Sequence, residues 1–274
     1  MNWLIYIDGL LIMTVLAIVT WLLSLYLRDV SIVDSAWSLM FLSASYVYAS
    51  IVPGMGLREF LLLSLLTVWA LRLSTHLTWR NWGEEEDRRY QEIRAKYQPN
   101  FAIKSLFIVF LFQAILAWVI SLSLFAAFSS QTDSNYTLTN LLIDSLGVIF
   151  VLVGILFESA ADWQLAKFKI NPSNSGKIMD KGLWRYSRHP NYFGECLIWW
   201  GFFLFALGNG AWWSIISPLI MTWLLLKFSG VVMLEKTIVT RRPEYREYIK
   251  RTNAFIPGPV KKTEDEKYIE VPVK

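Results

Sequence analysis

Gly182-Leu-Trp-Arg-Tyr-Ser-Arg-His-Pro-Asn-Tyr-Phe-Gly-Glu195 runs straight into the apolar segment Cys196 to Leu207. Within this stretch Arg185, Tyr186, Arg188, His189, Asn191, Tyr192 and Glu195 crowd together just before the apolar residues begin. A donor-rich loop feeding an apolar run marks the mouth of a membrane span. It therefore points to an all-α, polytopic membrane protein that grips an anionic ligand there. Arginine forks and cationic donors suit phosphate. Aromatic rings between them, Trp184, Tyr186, Tyr192 and the more distant Tyr245, can sandwich a planar ring or pack a ribose.

Outward from this stretch the whole chain reads the same way. Of 274 residues 55% are hydrophobic, and mean hydropathy is +0.40. A helix needs about 20 apolar residues to cross a bilayer. Seven spans are expected, near Leu4–Leu27, Ile32–Val52, Phe60–Trp79, Leu106–Phe128, Leu141–Trp163, Phe193–Leu207 and Ala211–Leu234. The first is too long for a signal-peptide core and lacks a basic leader and a cleavage site, so it reads as retained. Fourteen tryptophans and twelve tyrosines fit interfacial belts. The single cysteine, Cys196, excludes an internal disulfide and a multi-cysteine metal site, and no metal site is expected. The net charge of +4 is explained by topology rather than by nucleic acid.

Lys and Arg concentrate in Arg80 to Lys104, Lys167 to Arg188 and Lys236 to Lys274, whereas Ser129 to Thr139 and Gly208 to Gly210 carry none. With seven spans the three basic regions share one side. The positive-inside rule then places them in the cytoplasm, with the N-terminus outside. Arg58 is the lone exception on the outer side. The charged stretch Trp82–Tyr97 reads as a solvated helix with i,i+4 pairs, and the tail after Pro257 as an extended arm. The chain is expected to be one membrane domain over 1–274. Residues 1–128 form the substrate side, 139–260 the cofactor side and 261–274 a tail.

Ionisable residues inside spans are costly and mark function. Asp34, Arg72, His76, Glu158, Asp162, Glu195, Lys227 and Glu235 all fall in the cytoplasmic half of the expected topology. They predict one polar cavity open to the cytoplasm. Asp8 and Asp144 lie near outer ends and read as interfacial. No Gly-x-Gly-x-x-Gly follows a strand, and there is no P-loop, no His-Glu-x-x-His and no Cys-x-x-Cys.

Arg188-His-Pro-Asn-Tyr-Phe-Gly-Glu195, together with Arg242-Pro-Glu-Tyr-Arg-Glu-Tyr248 and Phe255-Ile-Pro257, resembles the superfamily of steroid 5α-reductases and isoprenylcysteine carboxyl methyltransferases. Ser31-Ile-Val-Asp-Ser-Ala-Trp37, Arg72-Leu-Ser-Thr-His76 and Arg80-Asn-Trp-Gly83 extend the likeness to its bacterial branch, the DUF1295 family. The resemblance implies a seven-helix, NADPH-dependent reductase of a lipid enone such as a 3-oxo-Δ4-steroid, in a bacterial inner membrane. It implies a cofactor held by the cytoplasmic loop and tail through Asp162, Lys169, Tyr186, Arg188, His189, Asn191, Tyr192, Glu195, Glu235, Arg241 and Arg242. The methyltransferase branch implies S-adenosylmethionine instead. Steroid reductases carry a Gln-Glu pair on the second helix and a Tyr on the third. Here those spans offer Asp34 and Trp37, and Arg72 and His76. Enone reduction requires a donor at the developing enolate oxygen, and protonated Asp34, Arg72 and His76 are the candidates.

Overall fold

The computed structural model describes residues 2–50, 52–129, 137–228, 235, 238–239 and 241–261. The described residues form ten helices: α1 Trp3–Leu27, α2 Ile32–Ala49, α3 Leu57–Asn81, α4 Arg88–Lys96, α5 Phe101–Ile120, α6 Leu122–Ser129, α7 Leu138–Ile170, α8 Pro190–Gly208, α9 Ile216–Trp223 and α10 Tyr245–Arg251. Two stretches widen to π-helical turns, Leu106–Leu111 inside α5 and Leu224–Phe228 after α9. A helix stands within each of the seven apolar runs, of which residues 51 and 229–234 lie outside the described residues. Four of them, α1, α3, α5 and α7, are long and apolar enough to cross a membrane. The protein is all-α and polytopic.

Two compact units share the chain. One holds the described residues of Met1–Val148 and Gly201–Ser217, the other those of Ile149–Trp200 and Pro218–Lys274.

In the first unit α1 shows why this sequence folds in lipid. Its inward positions are Tyr6, Gly9, Met13, Ala17, Thr20 and Ser24, spaced three or four apart. Its large apolar residues, Leu4, Ile7, Leu11, Val15, Val19 and Leu22, are exposed. A water-soluble helix turns the other way. Lipid gives no hydrophobic reason to hide leucine, so small residues face the protein and let backbones approach. Gly9 is such a point, since a Cβ there would sit 2.5 Å from the Tyr48 ring. Tyr6 and Trp118 lock α1 to α5 reciprocally. The Tyr6 hydroxyl donates to the Trp118 carbonyl and the Trp118 indole to the Tyr6 carbonyl, each at 2.8 Å.

Asp144 and Arg58, one read as interfacial and the other as a lone outer cation, are instead partners inside this unit. Arg58 Nε donates to Asp144 Oδ2 at 2.7 Å, and the same guanidinium lies 3.5 Å from Glu59. It also donates to the carbonyls of Ala127 and Phe205. All three charged residues are buried. The helix starts of α3 and α7 bring together groups 86 positions apart in sequence, a pairing that no local pattern reveals.

In the second unit a Cβ at Gly154 on α7 would sit 2.7 Å from the Gly194 carbonyl of α8. A Cβ at Gly194 would in turn meet the Glu158 nitrogen and the Gly154 carbonyl, both at 2.7 Å. In the first unit Gly147 on α7 faces the Gly201 carbonyl at 3.0 Å in the same sense.

Candidate functional site

The segment that opens the sequence argument lies in the second unit. Gly182 adopts a φ of 60°, where its missing Cβ leaves room for the Gln164 side chain, and Gln164 accepts the Leu183 amide at 2.9 Å. Trp184 donates its indole N–H to the Ala161 carbonyl at 3.0 Å. Residues 252–261 run alongside as a rail. Arg188 N donates to Asn253 O at 2.9 Å, Gly258 N to Tyr186 O at 3.1 Å and Lys261 N to Arg251 O at 2.9 Å. Ser187 Oγ donates to Phe255 O at 2.7 Å, and the Tyr248 phenol donates to the Trp184 carbonyl.

Arg188 is the keystone of this arrangement. Nε and Nη2 hold the Glu235 carboxylate at 2.7 and 3.0 Å, and Nη1 reaches the carbonyls of Ile249 and Thr252. His189 Nε2 lies 3.2 Å from the same Glu235 carboxylate, and its ring stacks on Tyr192 with centroids 5.6 Å apart. Burial pushes the Glu235 carboxyl up, but hydrogen bonds from His189 and Arg188 outweigh it and hold the group below the usual carboxylate range. Arg188, His189 and Glu235, all expected to grip cofactor, are thus joined to one another and to the tail. Asn191 donates to Asp162 at 3.1 Å, and Trp199 donates to Glu195 one turn along α8 at 3.0 Å. Lys169, Tyr186 and Arg241 are exposed, while Arg242 donates to the Lys177 carbonyl.

The first unit gathers Asp34 with residues that the sequence reading left out. Asp34 Oδ1 accepts from the Tyr90 hydroxyl at 2.6 Å, and Oδ2 accepts from Arg89 at 2.7 Å. Gln113 donates to the Tyr90 oxygen at 3.0 Å. Asp34 therefore accepts at both oxygens. Burial first, and then the Asp34 charge, push the Tyr90 phenol well above its ordinary value, so it stays a neutral donor. Ser38 Oγ donates to the Ala70 carbonyl at 2.8 Å and fixes the α2–α3 register. One turn further puts Asp34 at the level of Ser74, flanked along α3 by Arg72 and His76.

The helix carrying Tyr90 is largely solvated, as read from Trp82–Tyr97, with Arg88, Gln91, Glu92, Ala95 and Lys96 exposed. It covers only Arg88–Lys96, buries Tyr90, and takes its acidic partners from the preceding loop. Glu86 bonds Arg94 at 2.7 Å and caps the Val30 amide at 2.8 Å, and Asp87 bonds Arg89 at 3.0 Å. The missed signal was an apolar-faced tyrosine amid charge, with an arginine directly before it.

A family model described as "Protein of unknown function (DUF1295)" matches residues 20–252, from α1 to the end of α10 and the rail's first residue. The chain belongs to the DUF1295 family. Both clusters, around Asp34 and around Arg188, lie within the matched region. This DUF1295 chain is also similar to an uncharacterized protein of Schizosaccharomyces pombe, 26% identical over 92% of the chain and 79% of the relative. No solved structure matches.

Proposed function

We propose that this DUF1295 protein is an NADPH-dependent reductase of a lipid double bond conjugated to a carbonyl, in a molecule shaped like a 3-oxo-Δ4-steroid. In this reading the chain crosses the membrane seven times, with the N-terminus outside and the basic loops and tail in the cytoplasm. The observation that carries the reading is the Asp34–Tyr90–Arg89 network, set at the polar end of an apolar bundle on the level of Arg72 and His76.

Reduction of an enone throws negative charge onto the carbonyl oxygen, and a preorganised donor there lowers the barrier. Asp34 serves as the anchor of that donor set. Its two oxygens fix the Tyr90 phenol and the Arg89 guanidinium, so neither must reorganise as charge develops. Arg72 and His76 share one face of α3 at i,i+4 and supply N–H donors toward the oxygen. The apolar spans exclude bulk water and admit a lipid from the bilayer.

The donor set of the second unit suits a dinucleotide. Lys169, Arg241 and Arg242 offer cations for phosphate, Tyr186 an exposed ring face, and Asn191 with Asp162 an amide–carboxylate pair for hydroxyls. Arg188, His189 and Glu235 hold the segment in shape. NADPH, when bound, would supply the hydride for the β-carbon, leaving NADP⁺, and a proton from water would complete the reduction at the α-carbon.

The test is purified protein in detergent, given NADPH and a 3-oxo-Δ4-steroid, with absorbance followed at the nicotinamide band. Substrate-dependent oxidation that falls about 10²–10³-fold in Arg72→Ala, with NADPH affinity retained, supports the reading. No NADPH binding, with S-adenosylmethionine bound instead, replaces it with a methyltransferase.

A further inference from the structure

A concavity in the second unit is lined by none of the residues assigned to the cofactor above, though Arg185 belongs to the donor-rich stretch that opens the sequence argument. Asp180, Lys181, Gly182, Arg185, Arg251, Thr252, Val260 and Lys261 line a cleft of about 370 Å³, within the range of small-ligand sites, about 300–1,000 Å³. Four of the lining residues are cationic and one is acidic. Asp180 pairs with Arg251. Among the described residues no carboxylate pairs with Lys181, Arg185 or Lys261. The walls are held in place: Lys261 N donates to Arg251 O at 2.9 Å, Thr252 Oγ1 donates to the Arg185 carbonyl at 3.3 Å, and the Arg251 guanidinium lies 6.0 Å over the Tyr248 ring. Gly182, at φ 60°, turns the chain at the cleft wall.

Like charges held in one concavity repel each other unless a counter-anion joins them. Uniform positive-inside charge would scatter such residues over convex loops. Here two segments about 70 positions apart bring theirs to the same hollow, and hydrogen bonds fix the backbone on both sides. Two arginine forks beside two lysines suit a doubly charged phosphoryl group better than a carboxylate, which offers fewer acceptor sites.

We propose that this cleft binds a phosphate monoester, held by Lys181, Arg185, Arg251 and Lys261. The group comes either from a nucleotide's ribose phosphate or from the headgroup of a phosphatidic-acid-like lipid. The proposal does not depend on the reduction chemistry, because it concerns residues outside the assigned cofactor set.

The experiment titrates full-length protein in neutral detergent at low and high salt with adenosine 2′,5′-bisphosphate and, separately, with dihexanoyl phosphatidic acid, followed by tryptophan emission. Variants are Arg185→Gln, Lys261→Gln and, as a charge-matched control from the same loop outside the cleft, Lys177→Gln. Saturable binding that weakens about ten- to a hundredfold in Arg185→Gln and Lys261→Gln, with Lys177→Gln and the melting temperatures unchanged, establishes the site. The probe that binds names the source. Binding of neither probe, or equal weakening in Lys177→Gln, overturns the proposal. Loss of enone reduction with phosphate binding intact fails the reductase reading alone.

Discussion

Replacing Arg188 with alanine removes its four side-chain hydrogen bonds to Glu235, Ile249 and Thr252 and strips the Glu235 carboxylate of its guanidinium, with the His189 contact remaining. Breaking a pair buried to this degree costs roughly 3–5 kcal/mol, so Arg188→Ala is expected to melt early in detergent whether or not cofactor is present. Arg188→Met with Glu235→Leu should recover part of that loss, and a double-mutant cycle measures the coupling. The same pair predicts acid sensitivity. Because the Glu235 carboxyl sits below its usual range when folded, its contribution is present above the unfolded value and disappears as pH falls through the lower folded value. Glu235→Gln should flatten the acid limb of a melting-temperature profile. Tyr90→Phe removes the donor at 2.6 Å from Asp34. It should cost about 1–3 kcal/mol of stability, read by thermal melting. The residue types at Arg188 and Asp34 were legible in the sequence as chemistry. Their partners were not, because Glu235 is 47 positions from Arg188 and Tyr90 is 56 from Asp34.

At the scale of elements, Gly194 explains itself by geometry. It sits inside His189-Pro-Asn-Tyr-Phe-Gly194, where a motif reading looks for ligand contacts, yet its bare Cα faces backbone atoms of α7 at 2.7 Å from any added Cβ. Gly194→Ala must push α7 and α8 apart, since neither the Glu158 nitrogen nor the Gly154 carbonyl can yield as a flexible side chain would. A cost of about 1–3 kcal/mol or more is expected, and a melting-temperature shift in Gly194→Ala checks it. Gly176, whose Cβ would meet nothing, supplies a packing-neutral comparison, though its positive φ adds strain of its own. Long apolar runs marked the places where helices stand among the described residues, because lipid exposure leaves such runs uninterrupted. The charge pattern of Trp82–Tyr97 gave a largely exposed helix over Arg88–Lys96 but did not reveal that Arg89 and Tyr90 reach Asp34.

For the whole molecule, the inward small residues and outward leucines of α1 mark its apolar outer face, whereas sidedness is argued from the distribution of Lys and Arg. Cysteines introduced at Met55, between α2 and α3, and at Lys177, between α7 and α8, should react with a membrane-impermeant maleimide from opposite sides. Met55→Cys should label on intact cells and Lys177→Cys only after permeabilisation. Labelling of both from one side would remove the seven-crossing topology. The rail along residues 182–189 has a further effect during synthesis. Chains fold broadly in the order in which they are made, and residues 252–261 are translated after the last apolar helix. The ribosome has therefore already delivered Gly182–His189 before Tyr248 and Gly258, the donors to the Trp184 and Tyr186 carbonyls, exist. During that interval the nascent loop lacks these partners, and the arrival of α10 and residues 252–261 supplies them.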